Sequence, residues 1–140
     1  MKYLKIVLLS LLVSLPVCSF SQNYTINPTY EEFTLFCEEN SILYPDVVWA
    51  QARIESGNFT SPLYQSKCNC LGLYNSRKKE YYTYESWTDC LIGYRDKVQY
   101  RYNGSAVNVE EYLSWLTKIG YAATGETYLT EIRKILRRLG

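Results

Sequence analysis

Four helix-start signals punctuate this chain, and the one stretch that loses the helical period lies between them. Thr29 with Glu32 forms a capping box ahead of Phe33, Leu35, Phe36 and Cys37. Pro45 suits the first turn of a second helix, which carries Val47, Val48, Ala50, Ala52 and Ile54. Gly57 supplies a residue suited to its C-terminal cap. Ser86 with Asp89 opens a third helix, and Asn108 with Glu111 a fourth that ends at Gly120. In the last helix Tyr128, Ile132, Ile135 and Leu139 repeat at i, i+4, i+7 and i+11 and share one face. From Ser61 to Tyr84 that period disappears. Leu71 to Tyr74 and Glu80 to Tyr84 read as two short strands, with Asn75 to Lys79 as the polar turn between them. The expected plan is α+β and mostly helical: two helices, a short β-hairpin lobe, then three helices. Such a plan leaves room for a cleft between lobes.

Ahead of this lies an expected export signal, residues 1–21. Lys2 and Lys5 precede an apolar run from Ile6 to Pro16, and Ser19-Phe20-Ser21 offers the small-x-small pattern for cleavage before Gln22. The run is too short for a membrane span, which needs about 20 residues. A lipid-modified Cys18 is the rival reading, disfavoured because Val17 is bulky where such sites prefer a small residue. Residues 22–140 suffice for one domain with a core and are too few for two. The expected location is the periplasm or the extracellular envelope.

Composition then narrows the chemistry. The formal charge of +1 becomes −1 without Lys2 and Lys5, which argues against a general affinity for nucleic acid or acidic polymers. Arg133, Lys134, Arg137 and Arg138 read as the solvated face of the last helix. Histidine is absent, which excludes a Ser-His-Asp triad, a Cys-His pair and any histidine-containing metal site. No metal or cofactor is expected. Catalysis falls to carboxylates, tyrosines, amides or thiols. In an oxidising compartment Cys37, Cys68, Cys70 and Cys90 favour two structural disulfides. A Cys68–Cys70 bridge would be strained, so the expected pairs join Cys37 and Cys90 to Cys68 and Cys70.

Glu55 stands out among the carboxylates. It lies one residue before the expected end of its helix and close to the inward stripe, three residues after Ala52. Partial burial and the negative end of the helix dipole both favour its protonated form, as a general acid for glycosidic cleavage requires.

Ala50-Gln51-Ala52-Arg53-Ile54-Glu55-Ser56-Gly57 resembles the "AQAxxESG" stretch of the glucosaminidase domain, glycoside hydrolase family 73. Asn69-Cys70-Leu71-Gly72-Leu73 resembles its "NLFGI", Tyr84-Glu85-Ser86 its "YxS", and Gly120-Tyr121-Ala122 with Tyr128 its "GYATDPxY". The four motifs come in the family's order. The resemblance implies a lysozyme-like fold over residues 22–140 and hydrolysis of the β-1,4 bond after N-acetylglucosamine in peptidoglycan. It implies Glu55 as the general acid and Tyr121 beside the N-acetyl group at the cleaved bond. Ala123-Thr124-Gly125-Glu126 replaces the family's Thr-Asp and is one residue longer.

Glu80 is the one acid expected on the β-lobe as a second carboxylate. Without it, the substrate's own acetamide would serve as nucleophile. Asn69, Tyr74, Tyr82 and Tyr128 are further expected substrate contacts, while Trp49, Trp87 and Trp115 are expected in the core. The expected partner is the peptidoglycan glycan strand. Two alternatives stay open: a lytic transglycosylase or muramidase of the same fold, and a non-catalytic glycan-binding envelope domain.

Overall fold

The computed structural model describes residues 26–121 and 125–140. The expected signal segment, with Cys18, and Ala122 to Thr124 of the "GYA" loop lie outside the described residues. Among those described, six α-helices surround one two-stranded hairpin. They are α1 (Tyr30–Glu39), α2 (Pro45–Glu55), α3 (Pro62–Lys67), α4 (Trp87–Lys97), α5 (Val109–Lys118) and α6 (Gly125–Leu139). The strands are β1 (Tyr74–Asn75) and β2 (Glu80–Tyr81), and a 3-10 turn, Gln99–Arg101, follows α4. The mostly helical α+β expectation holds. None of the described helices is long and apolar enough to cross a membrane.

The local signals work as side-chain chemistry. The Thr29 hydroxyl accepts from the Glu32 N–H at 3.2 Å, and the Glu32 carboxylate accepts from the Thr29 N–H at 2.9 Å. Ser86 and Asn108 accept from the N–H groups of Asp89 and Glu111, so each satisfies an otherwise orphaned donor. α2 packs against both α1 and α6. Beneath them Phe33 stacks on Trp87 with centroids 5.7 Å apart, while Trp49 meets Phe33 edge-on at 5.1 Å. Trp49 and Trp87 are buried, and Trp115 is half-buried against Tyr112. Each fully buried large apolar side chain contributes about 1.5–3 kcal/mol, so this aromatic centre is a principal source of stability.

Three expectations need correction. The first is an additional helix, α3. Ser61 caps it and Pro62 occupies its first turn, but six residues with only Tyr64 buried leave no periodic signal. The second is the hairpin, which is shorter than Leu71–Tyr74 with Glu80–Tyr84. Leu71 and Leu73 are buried in the core and Gly72 turns through φ +62°, so ladder pairing begins only at Tyr74 with Tyr81. The third concerns the thiols. Cys37, Cys68, Cys70 and Cys90 are all unbridged. Cys68 occupies the C-cap of α3 in the left-handed region, and its Sγ lies 3.7 Å from the Glu85 carbonyl oxygen. Cys37, Cys70 and Cys90 are fully buried and pack as small apolar residues. Burial pushes the Cys37 and Cys70 thiols up, away from the reactive thiolate.

Candidate active site

Glu55 is the last residue of α2, and its side chain reaches a cleft of about 790 Å³. The cleft is also lined by Leu71, Gly72 and Tyr74 from the loop and hairpin, by Tyr82, and by Tyr121 after α5. That volume lies in the usual range for a site that takes a small molecule or a few sugar rings. Glu55 is the only carboxylate among the described lining residues. Burial raises its pKa above the ordinary 4.5, while the nearby Tyr128 hydroxyl acts in the opposite sense. Its place at a helix C-terminus adds to the upward pressure.

The loop beside Glu55 is built to approach it closely. Gly72 sits at φ +62°, and a Cβ placed there would lie 2.8 Å from Glu55 Oε2. Only glycine combines that backbone conformation with that clearance. Asn69 holds the loop in shape. Its amide donates to the Leu73 and Tyr82 carbonyls at 2.8 and 2.9 Å, and its oxygen accepts from the Leu73 N–H at 2.9 Å. The expectation of Asn69 as a substrate contact is therefore corrected: it is fully buried and bonded internally.

Tyr121 does line the cleft, and its hydroxyl donates to the Leu71 carbonyl at 2.6 Å. Burial holds that phenol well above its ordinary range, so it stays a neutral donor. Tyr74 and Tyr82 also line the cleft. Tyr128 does not. It is buried beside Tyr121, ring centroids 6.1 Å apart, which corrects its expected contact with substrate. Glu80 is exposed on β2, paired with Asn75 across the hairpin, and is not among the residues lining the cleft.

Behind Glu55 a polar chain crosses the core. Gln51, one turn earlier on α2, accepts from the Tyr94 hydroxyl at 2.9 Å. Tyr94 and Tyr112 share a hydrogen bond of 2.7 Å, and Gln99 donates to Tyr112 at 2.8 Å and to the Leu43 carbonyl at 2.8 Å. These bonds pin the interior face of α2, and so the direction in which Glu55 leaves it. The Tyr128 hydroxyl has no hydrogen bond of good geometry, yet lies close enough to stabilise ionised Glu55. Tyr128→Phe should therefore raise the Glu55 pKa further. A group that acts as an acid loses activity as pH rises through its pKa, so the alkaline limb of the pH–rate profile should move to higher pH. An unmoved limb in a folded variant would disprove the coupling.

Sequence reasoning did not single out Gly72, Arg77, Tyr100, Lys97 or Arg101, all of which line the cleft. Gly72 could have been found, because it stands inside the Asn69–Leu73 motif. The others reach the cleft from separate segments, and no local pattern marks them.

The family profile described as mannosyl-glycoprotein endo-beta-N-acetylglucosaminidase matches residues 32–140. No curated protein and no solved structure matches the chain significantly. The matched span contains every described residue that lines the cleft, Glu55 included, and the chain belongs to the glucosaminidase family of glycoside hydrolases.

Proposed function

We propose that this protein is a peptidoglycan hydrolase that cleaves the β-1,4 bond after N-acetylglucosamine, with Glu55 as its general acid. The observation that carries this reading is a single half-buried carboxylate, its pKa raised by burial, among the described residues lining an aromatic-rich cleft. Glu55 protonates the bridging oxygen as the bond from that oxygen to the sugar C1 breaks. Burial shifts Glu55 toward the protonated form, and that is the form able to donate to the leaving group. With no second carboxylate among the described lining residues, the substrate's acetamide oxygen is the favoured partner for C1, and water then completes hydrolysis. Tyr121 faces this event as a neutral hydroxyl, held by Leu71 on the loop that also contacts Glu55. The export signal read at residues 1–21 would bring the enzyme to its polymer, which lies outside the cytoplasm.

Purified cell walls test the assignment. Turbidity should fall on incubation, and the new reducing ends should be N-acetylglucosamine. N-acetylmuramic acid ends would identify a muramidase, anhydro ends a lytic transglycosylase, and unchanged walls a glycan-binding domain. In the same assay Glu80→Gln should be mild, and Tyr121→Phe the more damaging change. The reverse order would restore Glu80 as the second carboxylate.

A further inference from the structure

The cleft carries a charge pattern that bond cleavage does not use. Arg77 from the hairpin turn, Lys97 at the end of α4 and Arg101 at the end of the 3-10 turn all line it. None of the three forms an ion pair among the described residues. Asp96 is the nearest acid in sequence to Lys97, but its carboxylate is bound to Arg95 at 2.9 Å, and that hydrogen bond is the main cause of its lowered pKa, with Lys97 a lesser one. Lys97 Nζ instead sits 4.8 Å from the centroid of the Tyr82 ring and 6.0 Å from that of Tyr84. The Arg101 guanidinium lies 5.9 Å from the Tyr100 ring. Such contacts restrain a cation without neutralising it. In a chain of formal charge +1, three unpaired cations around one cleft are a local concentration that overall composition does not explain.

N-acetylglucosamine units carry no charge and offer these groups no counter-ion. In peptidoglycan the carboxylates are concentrated on the peptides that branch from the glycan. We propose that Arg77, Lys97 and Arg101 form a subsite for the acidic peptide stems, so that the cleft prefers strands whose stems carry free carboxylates. The proposal rests on the reading of peptidoglycan as substrate. The two arginines can each grip a carboxylate with a planar fork, whereas Lys97 acts as a point charge. Because the groups are largely at the cleft surface, each pair is weak alone and screened by salt.

Binding by the full chain carrying Glu55→Gln separates this from catalysis, since the strands are not cut during measurement. Two ligands are compared: soluble peptidoglycan strands, and the same strands after their stem carboxylates have been converted to amides. The unmodified strands should bind about tenfold more tightly at low salt, and the advantage should shrink as salt rises. Adding Arg77→Gln, Lys97→Gln and Arg101→Gln together should remove the advantage while binding of the amidated strands persists. If that combination does not fold, each single substitution should remove part of the advantage, with Tyr82→Leu weakening it through Lys97. Equal affinity for the two ligands, binding to neither, or an advantage that survives the substitutions would overturn the subsite. Wild-type protein that shows the advantage but releases no new reducing ends would instead leave the subsite standing and remove the hydrolase.

Discussion

Glu55→Gln should lower cell-wall hydrolysis by at least about 10²–10⁴-fold, because an amide cannot deliver a proton to the departing oxygen. The loss should fall mainly on kcat, since the amide keeps the size and most of the hydrogen-bonding capacity of the acid. The same substitution should raise thermal stability at neutral pH. Burial holds the folded-state pKa of Glu55 above the ordinary carboxyl value of 4.5, so the folded protein binds this proton more tightly than the unfolded chain does. Stability is then lost as pH rises from the unfolded pKa through the folded one. Glutamine carries no such cost. The variant and the wild type should have similar Tm values below pH 4.5, and the variant should be the more stable above the folded pKa. Thermal melts across pH, together with turbidity assays, read both effects. Wild-type rates from a folded Glu55→Gln protein would remove Glu55 from the mechanism.

Gly72→Ala should cut kcat/KM on the same walls by about 10²-fold while the protein remains folded. Two costs arise from one methyl group. The backbone at φ +62° disfavours any L side chain, at about 1–2 kcal/mol. The new Cβ would also stand 2.8 Å from Glu55 Oε2 and 3.4 Å from its Cδ, too close for the carboxyl to stay where it is. The carboxyl is the end of a side chain, so it moves and the core does not. Displacement by about 1 Å is enough to uncouple a proton donor from its target. A lower Tm with unchanged kcat/KM would show that Gly72 serves the turn alone and not the placement of the acid.

Helix boundaries were legible in the sequence because they are set within a few residues. Thr29, Ser86 and Asn108 each bond an N–H three positions away, and Pro45 and Gly57 act through their own backbone preferences. The stripe on α6 was legible for the same reason, since Tyr128, Ile132 and Ile135 are buried and spaced at the helical period. α3 escaped because six residues with one buried side chain make no period. The hairpin was overextended because Leu71 and Leu73 alternate with Gly72 as strand residues do. Their burial and the Asn69 clamp instead make that stretch a loop.

The sequence by itself determined the family and the helical plan, and it pointed to Glu55 as the proposed acid, because a chain without histidine must turn to its carboxylates and this one stands at the end of an inward-facing helix. It could not decide which residues stand around that acid. Asn69 and Tyr128 belong to the same set of four motifs as Glu55 and Tyr121, yet one clamps a loop and the other lies buried behind the carboxyl. Lys97 and Arg101 belong to no motif and reach the cleft only because α4 and its following turn end there. Caps and periods act between residues a few positions apart, whereas a cleft is made by segments tens of residues apart. Only packing, which brings Gly72 against Glu55 and Lys97 over Tyr82, fixes what those segments present to a substrate.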